Sequence, residues 1–174
     1  MVALPRTPGA LLIGLLAATL SVGLFLGTRA GAQDDCGGQP YAEVQIDGFP
    51  RLNLEVARTP AEHERGLMDR DSMPPDNGMV FVYTSPAREG YWMRDTRIPL
   101  SIAWLDQNGT ILDIQDMDAF DDQHAHYPGV GTLLLSQAPS TPVLPYYYAL
   151  ETNQGWFAAH GVGVGQQVAF CLGA

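Results

Sequence analysis

Three groups of side chains in this chain have the types and spacing to do chemistry. The first is Trp92-Met93-Arg94-Asp95-Thr96-Arg97. Along an extended segment Trp92 and Arg94 fall on one face, Met93 and Asp95 on the other. A guanidinium presents a fork of donors to a carboxylate or phosphate, and the Trp92 ring offers a flat apolar surface beside it. That patch suits a small anionic or sugar-like molecule. A purely structural role competes with it, in which Arg94 or Arg97 pairs with Glu151 and holds two strands in register. The second group centres on Glu151, the lone acid at the end of the aromatic run Tyr146-Tyr147-Tyr148-Ala149-Leu150. Burial there raises a carboxyl's pKa unless a cation stands nearby, and an unpaired acid can act as general acid or base. Glycoside hydrolysis needs a second carboxylate opposite it; Asp95, Asp113 and Asp116 are the candidates. The third group is Asp121-Asp122-Gln123-His124-Ala125-His126. If extended, it points both imidazoles the same way, which is metal-ligand chemistry. The sequence identifies no third, distant ligand for it, so a solvated loop is the simpler account and no metal site is assigned.

Other chemistries lack their residues. There is no Gly-x-Ser-x-Gly, and the serines have no readable histidine partner. Gly161-x-Gly163-x-Gly165 reads as a turn before a final strand, not as a strand-to-helix glycine loop for phosphates, so no cofactor is assigned. Met68, Met73, Met79, Met93 and Met117 fall at core-facing positions, where methionine fills gaps.

The ends of the chain bear on where this chemistry would take place. Ala10 to Gly27 is almost wholly apolar, follows the single positive charge of Arg6, and precedes Ala30-Gly31-Ala32. This is the pattern of an export leader, with cleavage expected after Ala32 to leave Gln33 first. The apolar run is near the lower limit for spanning a bilayer, so the alternative is an uncleaved N-terminal anchor. Gln33-Asp34-Asp35 before Cys36 lacks the small apolar residues of a lipoprotein signal. Both outcomes deliver the domain outside the cytoplasm, as a secreted or periplasmic protein or one held by its N-terminal segment. Cys36 and Cys171 are the only cysteines; in an oxidising compartment an even count favours their bridging. The chain has nine arginines and no lysine against 19 acids, and two of the arginines lie in the leader, which itself has no acid. A surface this acidic repels nucleic acid and anionic lipid.

The elements that must position these groups are short strands. Val44 and Ile46 alternate with polar residues, Asp47-Gly48 reads as a turn, and Leu52, Leu54 and Val56 alternate again: a hairpin with one buried face. Thr59-Pro60-Ala61-Glu62 is a capping box that opens a helix to about Met68, and Asp71 to Gly78 is loop. Strands are expected at Met79–Tyr83, Tyr91–Met93, Leu100–Leu105, Ile111–Ile114, Thr132–Leu135, Tyr146–Thr152 and Gln167–Cys171, with a short helix at Gln154–His160 closed by Gly161. The segment from Asp118 to Pro145 carries the weakest pattern. Short strands broken by Gly, Pro and Asn predict a mainly β domain, a compact antiparallel sandwich or barrel-like fold with one or two short helices. The organisation read is leader 1–32, a flexible segment 33–41 and one domain over 42–174.

Four strings taken together resemble a known family: Glu64-Arg65-Gly66-Leu67-Met68, Gly78-Met79-Val80-Phe81, Tyr91-Trp92-Met93-Arg94-Asp95-Thr96 with Ile98-Pro99-Leu100, and Leu150-Glu151 with Gly155-Trp156. Their order and spacing resemble domain of unknown function 192, a family of small, often exported bacterial and archaeal proteins. The resemblance implies a compact, mostly antiparallel β fold and no established reaction. The chain departs from the family's usual pattern at Tyr91, Arg94 and Asp95, where Phe, Lys and Asn are typical, at Ser101, where Asp is common, and at Gly165-Gln166 in place of Gly-Asp. The residues together favour a non-catalytic exported module that binds a small ligand, an envelope component or a partner protein, with Trp92, Arg94, Asp95, Thr96 and Glu151 as candidate binding residues. The alternatives are a hydrolase-like enzyme using Glu151 with a second acid, and a metal-binding module.

Overall fold

The structure is a computed structural model that describes Cys36 and residues 40–44 and 51–173. The leader, its cleavage point at Ala32 and Gln33, and the Asp47-Gly48 turn lie outside the described residues. In chain order the elements are β1 (Tyr41–Val44), β2 (Leu52–Ala57), α1 (Pro60–Arg65), β3 (Asn77–Ala87), β4 (Leu100–Leu105) and β5 (Ile111–Met117). After these come β6 (His124–Tyr127), β7 (Gly131–Leu134), β8 (Tyr146–Asn153), α2 (Trp156–Ala159) and β9 (Val168–Cys171). Seven strands form one curled, half-barrel sheet in the order β5-β4-β8-β3-β2-β1-β9, and β6 and β7 form a separate hairpin. The fold is thus the barrel-like form of the expected β domain.

One pairing departs from an all-antiparallel sheet. β2 and β3 run parallel, with Leu54 opposite Gly78 and Val56 opposite Val80. Parallel neighbours need a crossover, and α1 with the loop after it supplies one. The helix starts where its capping box lies: Glu62 donates its N–H to the Thr59 side chain, and its carboxylate accepts the backbone N–H of Thr59 and of Arg58. It stops at Arg65, earlier than Met68, because Gly66 takes φ 44° and ψ −132°, a conformation that breaks the helical run.

β8 is the central strand of the site-bearing region, flanked by β3 and β4. Its residues alternate between two apolar clusters, as a pleated strand requires. Leu150 pairs with Val80 and Ala103 on one face, while Ala149 pairs with Phe81 and Trp104 on the other. Met79, Met93 and Met117 are buried in the second cluster, as their core-facing positions predicted. A disulfide joins Cys36 to Cys171 with a Cα–Cα separation of 5.6 Å, tying the start of the domain to its last strand. No helix among the described residues is long and apolar enough to cross a membrane.

Two segments differ from their expected form. Tyr91–Met93 is not a strand. Only Tyr91 makes a β-bridge, to His126, and the chain then turns: Thr96 donates its N–H to the Met93 carbonyl at 3.1 Å, and Asp95 adopts φ 54°. His124–Tyr127 is a strand, not a solvated loop. Its pairing with β7 and with Tyr91 supplies backbone partners that its polar sequence did not advertise.

Candidate functional site

Glu151 occupies the second-cluster face of β8. Its cross-strand neighbours are Met79 on β3 and Ile102 on β4, both apolar. Register therefore denies it a cation on either side. The residue is only 4% exposed and makes no hydrogen bond or ion pair with any described residue. The proposed pairing with Arg94 or Arg97 is not formed. Arg97 instead meets Asp71 at 2.8 Å and Asp69 at 3.3 Å. Removal from water, with nothing to offset it, pushes the Glu151 carboxyl up to about 8. At neutral pH it is a protonated acid, able to donate through its O–H and accept through its carbonyl oxygen.

This acid lines a cleft of about 30 Å³. One wall is the end of α1 and the turn after it, from His63 to Met68. The position of this wall depends on Gly66. There the chain leaves the helix at φ 44°, which strains any side-chain-bearing residue, although a β-carbon would meet the Phe81 ring only at an ordinary contact distance of 3.4 Å. His63 is held in place by its Nε2–H, donated to the Ala57 carbonyl at 3.1 Å, and by its ring lying 4.6 Å from that of Tyr83. Aromatic residues form much of the remainder: Phe81 from β3, with Tyr91 and Trp92 from the turn segment, joined by the buried Thr96. Tyr91 packs edge-on to Phe81 at 5.2 Å, and its hydroxyl lies 2.8 Å from that of Tyr83. Burial raises the phenol pKa of both tyrosines, so both hydroxyls stay neutral. Gly78 serves the floor indirectly. A β-carbon there would stand 2.4 Å from the Glu151 carbonyl oxygen, so only glycine lets β3 and β8 approach this closely.

Backbone strain gathers around the same cleft. Among the described residues three non-glycines have positive φ: Asp69 at 63°, Asp95 at 54° and Phe120 at 60°. Backbone hydrogen bonds tie Asp69 to Asp95 and Phe120 to Thr96, the residue after Asp95. Asp69 donates its N–H to the Asp95 carbonyl at 2.9 Å, and Phe120 donates its N–H to the Thr96 carbonyl at 2.9 Å. Aspartate tolerates this region, whereas a bulky aromatic there is a true outlier. Each such residue costs on the order of 1 kcal/mol and persists where the surroundings over-determine it, commonly at functional sites.

The other sequence candidates fall around this centre rather than in it. Arg94 lies on the rim. Its guanidinium sits 4.2 Å from the Trp92 ring centroid, with Glu64 at 4.0 Å and Asp95 at 3.9 Å. The Arg94 guanidinium is thus shared between an aromatic face and two long, solvent-exposed carboxylate contacts. Asp95 is exposed and does not line the cleft. The other second acids proposed for hydrolysis are also elsewhere: Asp113 accepts from Gln115 and the Gly129 N–H, both at 2.9 Å, and Asp116 accepts from the Ser101 hydroxyl. The acid that does share the cleft with Glu151 is Glu64, which the sequence showed only as part of a family string. The two histidines of the third group have separate partners. His124 Nδ1 contacts Asp121 at 2.8 Å, while His126 is buried with Nδ1 3.1 Å from the Thr132 hydroxyl. Burial lowers the His126 pKa and keeps its ring neutral. Among the described residues no group of three or more His, Cys, Asp or Glu is placed to hold a metal.

A half-barrel sheet with an interior strand, β8, that carries a lone buried acid into a small aromatic-walled cleft defines the class. The chain belongs to the domain of unknown function 192 family, described as an uncharacterised ACR, whose profile matches residues 42–170. Two of the crystal structures that resemble it illustrate the likeness. One is a Sinorhizobium meliloti 1021 protein provisionally described as a transcription regulator, with TM-score 0.60 and 25% identity, covering 76% of this chain and 92% of that one. The other is a Novosphingobium aromaticivorans DSM 12444 protein of unknown function, with TM-score 0.59 and 27% identity, covering 75% of this chain and 83% of that one. No functionally curated protein matches the sequence. All four family strings contribute a residue to the one cleft: Gly66, Phe81, Thr96 and Glu151.

Proposed function

We propose that this chain is a non-catalytic binding module that works outside the cytoplasm and receives a short polar end group of its ligand in the cleft over Glu151. The observation that carries this reading is the acid itself: a carboxyl nine-tenths buried, unpartnered among the described residues and open to a cleft. Burying an unsatisfied ionisable group destabilises a fold, so its placement in a cleft lined by all four family strings supports a binding use. The size of the cleft limits the ligand. One water needs roughly 10–15 Å³ of such space, so a cavity of about 30 Å³ takes two or three heavy atoms and excludes a sugar ring. A small molecule, an envelope component or a partner protein would therefore insert only its tip, with the rest lying across the Trp92–Arg94 rim. The disulfide favours an oxidising compartment, which supports the export expected from the apolar N-terminal run and the Ala30-Gly31-Ala32 site.

The test uses protein purified from the extracytoplasmic fraction of an expressing bacterium, in a thermal-shift screen against small alcohols, amides, amines and acids. A ligand that fills the cleft raises the melting temperature, and the Glu151→Gln variant loses that response. The reading fails if every hit acts equally on the variant.

A further inference from the structure

The lining of the cleft specifies the chemistry of the end group. Its side walls include three aromatic rings, Phe81, Tyr91 and Trp92; its buried acid is Glu151, and Glu64 stands on the same lining. A buried carboxyl set among aromatic rings favours an entering cation, which the acid attracts by charge and the ring quadrupoles can support. The protein itself shows the pairing at the rim, where the Arg94 guanidinium lies over the Trp92 ring between Glu64 and Asp95. Resting on the reading of the cleft as a binding site, we propose that the group it takes is a primary ammonium at the end of a short alkyl chain. An ammonium and one methylene match a volume of about 30 Å³, whereas a trimethylammonium head exceeds it.

Charge balance follows directly. Glu151 is a neutral acid when the cleft is empty, since burial raises it to about 8. An entering cation favours the carboxylate, so the acid releases its proton to solvent and the cleft gains no net charge. The charged and titratable groups facing this exchange are His63, Glu64 and Arg65 at the end of α1, Tyr83 on β3, and Tyr91 and Arg94 on the turn segment. Both phenols stay neutral, and Arg94 is engaged by Glu64 and Asp95. Binding coupled to ionisation of one acid strengthens with pH, by about tenfold per unit well below the acid's pKa.

The test is a titration of the intact extracytoplasmic protein with n-butylammonium, n-butanol, butyramide and tetramethylammonium at matched ionic strength, followed by backbone amide NMR shifts at Gly66, Tyr91, Thr96 and Glu151. The expected result is saturable shifts with n-butylammonium alone, an affinity about tenfold higher at pH 7 than at pH 6, and loss of both in Glu151→Gln. A lysine-containing tripeptide binding more tightly than n-butylammonium would assign the ammonium to a protein partner; weaker binding would assign it to a free amine. If n-butanol or butyramide shifts the same amides as strongly, or the ammonium binds without pH dependence, the ammonium inference is overturned and the binding cleft stands. If none of the probes moves these amides, the inference and the binding reading fall together.

Discussion

Replacing Glu151 with glutamine should make the protein more stable at neutral and alkaline pH. Glutamine has the shape of the protonated acid and cannot ionise. In the wild type the folded carboxyl titrates near 8, while its ordinary value is 4.5. Because the folded value is raised, the stabilising contribution of the bound proton is complete below about 4.5 and is lost as pH rises to about 8. The gap of about 3.5 pH units corresponds to about 5 kcal/mol once both states are ionised, and to about 3 kcal/mol at pH 7. For a domain of this size each kcal/mol moves the melting temperature by roughly 3 °C, so the variant should melt on the order of 10 °C above wild type at pH 7. The assay is thermal and urea unfolding of both proteins from pH 4 to pH 9. The curves should meet near pH 4.5 and diverge up to pH 8. Parallel curves, or a variant less stable at pH 8, would refute the claim that Glu151 lacks a partner in the fold.

Three other substitutions probe the frame of the site. Replacing Cys36 and Cys171 with serine releases a loop of sequence separation 135, and denaturant unfolding should show a loss of about 5 kcal/mol by the chain-entropy treatment. Arg94→Ala removes two long, solvent-exposed ion pairs and one ring contact, and should cost only about 1 kcal/mol in chemical denaturation; a loss of several would restore a structural role. Gly78→Ala drives a β-carbon against the Glu151 backbone and should destabilise by about 2–3 kcal/mol in the same measurement, with the largest amide shifts on β3 and β8.

The strands with clean alternation were legible in the sequence because each needs only its own residues to define a buried face. Leu52 and Leu54 are of this kind, while Leu100 to Leu105 was legible as an unbroken apolar run that is buried on both faces. Pairing was not legible. Nothing local says that β2 lies parallel to β3, since that depends on where a helix and a loop deliver the chain. The Tyr91–Met93 segment misled because Tyr91 and Met93 are buried, as strand residues are, yet a left-handed Asp95 and the Thr96-to-Met93 hydrogen bond close a turn. His124 to Tyr127 differs in the opposite sense: a His-Ala-His-Tyr string after two aspartates becomes a strand through its pairing with β7 and the bridge from His126 to Tyr91.

The candidate site divided in the same way. The chemistry of Glu151 and Trp92 marks them in the sequence, Thr96 stands in the same string as Trp92, and all three line one cleft. The donor fork of Arg94 marks it by chemistry, but the faces assigned to Arg94 and Asp95 rest on strand alternation, and the turn leaves both outside the cleft lining. The wall from His63 to Met68 was visible only as a helix terminus, although the capping box at Thr59 and the glycine at 66 located its end. That Glu151 has no cation beside it depends on its register against Met79 and Ile102, a long-range property that no local pattern encodes.

The most direct measurement is the protonation of Glu151 itself, followed through the 13C shift of its carboxyl carbon as pH is varied. The structure predicts a midpoint near 8, displaced downward when n-butylammonium is present. A midpoint at the ordinary glutamate value of about 4.5 would mean that the acid is hydrated or paired, and the buried, unpartnered carboxyl on which the binding reading rests would not exist.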